Sequence, residues 1–167
     1  MITEVLAIVV FASMLFEARL SAAHDRQLRA RGAIEPAGDV YQAMQIAYPA
    51  AFLVMLAEGL WRGAAVDRAF IAGGVIFAAA KLLKYWAIGT LGERWTFRVL
   101  VPPGSVTTTA GPYRWLRHPN YLAVAGELVG IGVASRAVIT GVLAVGGFAW
   151  LMRKRIAVEE RALGVAQ

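Results

Sequence analysis

Apolar positions fall in five blocks along the chain, at about residues 2–16, 41–61, 69–91, 121–134 and 137–152. A helix crossing a hydrocarbon core takes roughly 20 mostly apolar residues. The second and third blocks meet that length, and the first does if Glu17 and Arg19 lie at the interface. The last two are short and separated only by Ser135-Arg136, which predicts a tight helical hairpin. Residues 153–163 are charged but keep Ile156, Val158 and Leu163, so they are expected to continue helix five beyond the membrane. The pattern predicts one all-α integral membrane domain of about five transmembrane helices over residues 1–167. Three of these helices lie in 1–90, and the hairpin and C-terminal helix lie in 91–167.

Between residues 92 and 109 the periodicity is lost. Residues 95–101 are rich in β-formers, Pro102-Pro103-Gly104 is a turn, and residues 106–109 are β-branched. That order predicts a short extended hairpin resting at the membrane surface.

Composition narrows the class. Hydrophobic residues make up 59% of the chain and charged residues 17%, with a mean hydropathy of +0.58. Soluble domains average about 45–50% and 25%, which excludes a soluble globular protein. Cysteine is absent, so disulfides, thiolate metal sites and a cysteine nucleophile are excluded. The first block lacks a basic leading region and a clear cleavage site, and is expected to be retained as a membrane helix.

The net charge of +6 follows membrane topology rather than a nucleic-acid surface. One side of the predicted bundle holds Arg19, Arg26, Arg29 and Arg31, then Lys81, Lys84, Arg94, Arg98, Arg114 and Arg117, then Arg153, Lys154, Arg155 and Arg161. Only Arg62, Arg68 and Arg136 fall on the other. The positive-inside rule then sets the N-terminus outside a plasma membrane and the C-terminus in the cytoplasm.

Chemistry concentrates in Gly111-Pro112-Tyr113-Arg114-Trp115-Leu116-Arg117-His118-Pro119-Asn120-Tyr121-Leu122. Pro119 suits the first turn of a helix, which sets His118 at its N-terminus. One reading makes Arg117 a phosphate-seeking snorkel and Tyr121 an interface anchor. The other makes the cluster a ligand site, because polar groups at the mouth of a membrane helix are costly without a partner. Arg155 and Glu159 are spaced for an i,i+4 helix pair beside Glu160. Glu58 and Glu127 are acids within spans, expected to face a cavity or a partner; Glu58 has Arg62 nearby. Glu17, Arg19, His24 and Arg26 form a basic loop beside lipid headgroups, or a place to hold an anionic substrate. His24 and His118 do not make a helical metal pair, so no metal is expected.

Arg117-His118-Pro119-Asn120-Tyr121, followed some forty residues later by Glu159-Glu160, resembles the isoprenylcysteine carboxyl methyltransferase family of small integral membrane methyltransferases. Gly111-Pro112-Tyr113-Arg114 and Leu91-Gly92-Glu93-Arg94-Trp95 add to the resemblance, which covers residues 91–163. It implies a cytoplasmic pocket for S-adenosylmethionine formed by the last helices, with a lipophilic acceptor entering from the bilayer. In that likeness His118, Tyr121, Glu159 and Glu160 contact the cofactor, and Arg117 and Pro119 shape its pocket. Leu122-Ala123 stand where prenylcysteine enzymes usually have a glycine. Arg31-Gly32-Ala33-Ile34-Glu35 and residues 41–58 look more like a bacterial branch that O-methylates alkylpyrones and alkylresorcinols.

The implied chemistry is direct, in-line methyl transfer. A carboxylate acceptor would need only a cation such as Arg94 or Arg114, whereas a phenol would gain from a base, for which Glu127 stands. Arg19, Glu58 and Trp95 are the expected substrate-facing residues. Prenylcysteine carboxyl methylation, phospholipid amine methylation, and a non-enzymatic scaffold or transporter subunit are the alternatives. Oligomeric state is not legible in the sequence.

Overall fold

The computed structural model describes residues 2–104, 107–162 and 164. Among these, five α-helices follow one another: α1 (Ile2–Ala30), α2 (Tyr41–Trp61), α3 (Arg68–Leu91), α4 (Pro119–Ala134) and α5 (Val138–Ala162). Single 3-10 turns at Gly92–Arg94 and Gly111–Arg114 punctuate the long connection between α3 and α4. The helices α1, α2 and α3 are each long and apolar enough to cross a membrane. At 16 residues, α4 spans only about 24 Å, short of the hydrocarbon thickness. The architecture is that of an all-helical integral membrane protein.

Local chemistry sets the helix ends. Asp67 accepts from the Phe70 amide at 2.9 Å and so caps the N-terminus of α3. Pro119 occupies the first position of α4, where its missing N–H costs nothing. At the other end of α4, Ala137 donates to the Gly132 carbonyl and Arg136 to that of Val133, the double bond of a Schellman cap. Arg136 takes the left-handed position at φ 55°, where glycine is usual, and its guanidinium pairs with Asp67.

A dry seam joins α3 and α4. Gly126, Gly130 and Ala134 recur every fourth residue along α4 and pack tightly on α3, Gly130 and Ala134 against backbone at Gly73 and Phe77 and Gly126 against the Ala80 methyl group. A β-carbon on Gly130 would lie 2.7 Å from the Phe77 amide nitrogen, and one on Gly126 2.9 Å from the Ala80 β-carbon. Small residues at this spacing let membrane helices approach closely, which matters where lipid gives no hydrophobic drive to association. Phe52, Met55, Phe77, Leu128, Ile131 and Phe148 fill the core that α2, α3, α4 and α5 share.

Outside the core, Leu53, Ile71, Val75, Leu82, Val142 and Leu143 are exposed and form a lipid-facing surface. Trp61 marks one end of it, and Trp86, Trp115 and Trp150 the other. Arg68 and Trp86 stand about 27 Å apart along α3, close to the bilayer's hydrocarbon thickness.

Several expectations change. The first helix does not stop near Glu17. It runs unbroken to Ala30, and Glu17 is fully buried. Lys81 and Lys84, expected among the cytoplasmic flanking charges, instead lie inside the bundle against Glu17. The fifth helix keeps its expected course: the short apolar run and its charged extension form 25 continuous residues carrying Arg155, Glu159 and Glu160, and Leu163 lies outside the described residues. The expected extended hairpin is also replaced. Val101 makes a single antiparallel bridge with Ile34 of the α1–α2 loop, through bonds of 3.1 and 3.0 Å, and Val106 is outside the described residues. The segment found its strand partner 67 residues upstream rather than across its own turn.

Glu58 is the plainest correction. Its carboxylate accepts from the Ile139 amide at 3.1 Å, the Thr140 amide at 2.7 Å and the Thr140 hydroxyl at 2.6 Å, and from Arg62 Nε at 2.6 Å. It caps the N-terminus of α5 from a neighbouring helix, using the positive end of that helix's dipole. Twenty residues of α5, about 30 Å, separate this cap from Glu159, so Glu58 is not a substrate ligand of the site below.

Three outcomes follow. Gly130→Leu should abolish folding or cost at least about 1–3 kcal/mol, because Phe77 backbone cannot retreat. Gly146→Ala, which meets nothing within 4 Å, should leave the melting temperature in detergent unchanged or slightly raised. Glu58→Ala should lower the melting temperature while leaving ligand affinity at the far end of α5 intact, read by paired thermal melts and binding titrations.

Candidate functional site

The polar motif is shaped first by its backbone. Gly111 takes φ 54° with its α-carbon against Thr90, so any side chain there would strike the Thr90 hydroxyl. The chain then turns through Gly111–Arg114 with Pro112 buried, and enters α4 at Pro119, also buried. This places His118 at the mouth of α4 and Tyr121 just inside its first turn.

Both face the last turns of α5. His118 Nε2 lies 3.1 Å from Glu160 Oε1, and its Nδ1 lies 3.9 Å from Glu159 Oε2. The Tyr121 hydroxyl donates to Glu159 Oε2 at 2.7 Å, and the His118 and Tyr121 rings are 5.5 Å apart. The imidazole and the two carboxylates stay 22–31% exposed, so they are reachable. The structure therefore brings His118, Pro119, Tyr121, Glu159 and Glu160 together. Arg117 stands beside them, exposed.

Tyr113 belongs to the same corner. Burial pushes its phenol up, the Glu159 carboxylate adds to this, and Arg94 opposes it. Arg94 is exposed and donates to the Thr108 hydroxyl at 2.6 Å. Arg114, exposed, lies over Trp115 with its guanidinium carbon 5.8 Å from the ring centre. Tyr113 was legible only as one letter of the motif.

Two members of the cluster escape sequence reasoning. Arg155, read as an i,i+4 partner for Glu159, turns the other way. Its Nε donates to the Tyr121 hydroxyl at 2.9 Å, and its Nη1 meets Asp39 Oδ1 at 3.3 Å. Asp39, in the α1–α2 loop, also accepts from the Val99 amide at 3.0 Å and the Tyr41 amide at 3.2 Å. A single acid in a polar loop carries no sequence signal. Nearby, Glu35 is bound by Arg29 at 2.5 Å and Arg98 at 2.9 Å. Burial works against its charge, but these two arginines outweigh it and hold the carboxyl below the usual range. That tie is present at neutral pH and is lost as pH falls through the lowered value.

Glu127 sits elsewhere. It is six residues past Tyr121, about 9 Å deeper along α4, and 1% exposed. Lys84 Nζ lies 2.7 Å from Glu17 Oε2 and 3.1 Å from Glu127 Oε1, and Lys81 Nζ lies 2.6 Å from Glu17 Oε1 and 3.1 Å from Glu127 Oε2. The Tyr48 hydroxyl also donates to Glu127 Oε2. The Lys84 ammonium is close to Glu17 Oε2 and Glu127 Oε1 but not aimed at them, so neither oxygen has a well-directed hydrogen bond. The structure thus joins Glu127 to α1, α2 and α3 rather than to His118 and Glu159.

Trp95, expected to face substrate, is 2% exposed. Its indole N–H donates to Asn120 Oδ1 at 3.3 Å, and His24 Nδ1 donates to its carbonyl at 2.8 Å. It anchors the connecting segment to α1 and α4, which corrects its assignment. Arg19 is exposed on α1.

A groove of about 320 Å³ runs between α2 and α5, lined by Ala47, Ala51, Ala144, Gly147, Phe148 and Leu151. Its upper end, Leu151, is one helical turn from Arg155.

Comparisons with known proteins identify the family. The model of the isoprenylcysteine carboxyl methyltransferase (ICMT) family matches residues 72–165. An uncharacterised Bacillus subtilis protein, YpbQ, is 29% identical over 140 residues, covering 84% of this chain and 83% of that one. An uncharacterised Haemophilus influenzae protein is 24% identical over 155 residues, covering 92% and 90%. No solved structure matches. With more than half of its length matched, and with the motif at α4 joined to the acids of α5 inside that match, the chain belongs to the isoprenylcysteine carboxyl methyltransferase family of membrane methyltransferases.

Proposed function

We propose that the protein transfers a methyl group from S-adenosylmethionine to an oxygen of a lipophilic acceptor of the alkylpyrone or alkylresorcinol kind. The observation that carries this is the meeting of His118 and Tyr121 with Glu159 and Glu160 across the α4–α5 corner.

The donor set suits the cofactor. Its ammonium and sulfonium call for carboxylates and its ribose hydroxyls for acceptors, roles open to Glu159 and Glu160. Its carboxylate calls for a cation or a helix N-terminus, which Arg117 and the start of α4 supply. When bound, the cofactor supplies an activated methyl group. This chain's part is to orient and to exclude water. The His118 and Tyr121 rings form one wall, the two acids another, and Tyr113 closes the corner beside Glu159.

The acceptor's chain suits the apolar groove between α2 and α5, whose alanines and Gly147 leave room for a linear tail while its upper end points toward Arg155. A hydroxypyrone is acidic enough to arrive ionised and needs no base, whereas a resorcinol hydroxyl would release its proton to solvent water at the exposed mouth of the corner as the methyl group is transferred. Both Glu127 oxygens are already engaged by Tyr48, Lys81 and Lys84, so in this reading Glu127 organises the bundle and takes no proton. Arg94 and Arg114 are the cations available at the mouth to steady the oxyanion. Without Lys81 and Lys84, the remaining basic residues still favour a cytoplasmic site and C-terminus, where the cofactor is available.

In detergent, the protein should bind S-adenosylmethionine saturably by titration calorimetry. His118→Ala and Glu159→Gln should each weaken binding by about tenfold or more, the loss of one charged hydrogen bond. With labelled cofactor, alkylpyrones and alkylresorcinols should take the label while prenylcysteines and phospholipids do not. Label on a prenylcysteine or a phospholipid would move the acceptor assignment to that class. Absence of cofactor binding by the folded wild type would remove the enzymatic reading.

A further inference from the structure

The cofactor corner is tied to the N-terminal half of the chain by one line of side chains. Asp39 holds the Arg155 guanidinium, Arg155 donates to the Tyr121 hydroxyl, and Tyr121 donates to Glu159. The first two are nearly sealed, with the Arg155 side chain 6% and the Asp39 side chain 4% exposed. Their order is chemically directed. Arg155 has no acceptor, so it fills a lone pair of the Tyr121 oxygen and leaves its single proton for Glu159. Glu159 is thereby fixed by a donor behind it, with its remaining lone pairs turned outward.

Asp39 sets this direction. One oxygen accepts from Val99, and the other from Tyr41 and Arg155, so the carboxylate is pinned by two backbone segments before it reaches α5. Without it, Arg155 would be a buried cation short of its counter-charge, drawn toward Glu159 only four residues on along the same helix. That collapse would neutralise the carboxylate the cofactor needs.

We propose that Asp39 is a positioning residue for the cofactor site: through Arg155 and Tyr121 it keeps Glu159 oriented and its charge available to the ligand. This rests on the reading of the α4–α5 corner as the S-adenosylmethionine site. The α1–α2 loop thereby becomes part of the site without touching the ligand.

The test is a double-mutant cycle on full-length protein in detergent, titrated with S-adenosylmethionine. Asp39→Asn cannot serve both the Val99 amide and Arg155 and turns an amide N–H₂ toward donors. It should raise the Kd about tenfold, as should Arg155→Lys, which keeps the charge but cannot reach Asp39 and Tyr121 together. Tyr121→Phe breaks the line one step later. In the Tyr121→Phe background, Asp39→Asn should then add little further loss of affinity, although it still lowers the melting temperature. A merely structural role for Asp39 would instead add its full loss on top, and additivity would overturn the proposal. So would an unchanged Kd in Asp39→Asn. Should Asp39→Asn fail to fold, Arg155→Lys reads the same line from its other end by the same criteria. Wild type that does not bind the cofactor would remove the site reading itself, whereas binding lost in Tyr121→Phe but kept in Asp39→Asn would remove only the positioning role.

Discussion

Two acids and two lysines buried together in an apolar bundle are the constraint on which this fold turns. Glu17 comes from α1, Lys81 and Lys84 from α3, and Glu127 from α4. Any one of them alone in hydrocarbon would be prohibitive. Together they sum to zero charge and can be dry only when the three helices hold a single relative height. Such a group contributes less through net energy than through the alternatives it excludes, since breaking one partner strands the others. The Tyr48 hydroxyl extends the restraint to α2.

The height so fixed is what the glycine seam needs. Gly126 and Gly130 flank Glu127 on α4, and they fit α3 only where Phe77 and Ala80 present backbone and a methyl group. Charge and shape thus specify the same register. With α4 seated, its N-terminal turn projects His118 and Tyr121 past the bundle toward α5. The opposite end of α5 is held by Glu58, and its upper half by Arg155 on Asp39. The proposed cofactor corner is the place where these separately anchored helices meet.

Much of this was legible in the chain. The apolar runs of α2 and α3 are long enough to identify themselves, and the Arg117–Tyr121 motif with the paired acids forty residues on pointed to one corner. What was hidden is what depends on distant partners. Glu17 looks like the end of a membrane helix because its compensating lysines lie 64 and more residues away. The two lysines look like flanking charges for the same reason. Trp95 reads as a substrate-facing aromatic until Asn120 and His24 enclose it. Asp39 gives no local hint, since its partners Val99 and Arg155 are 60 and 116 residues away. Periodicity finds helices, and motifs find chemistry. Neither finds a buried charge whose partner is on another helix.

In the proposed function, one ligand binds where the start of α4 meets the end of α5. Hydrogen–deuterium exchange of the intact protein in detergent, with and without saturating S-adenosylmethionine, tests it without altering a residue. Exchange should slow in two stretches at once, residues 111–122 and 155–162, with no change at residues 58–64 around the far cap of α5. Protection confined to one of the two stretches, or appearing at the Glu58 end instead, would contradict it.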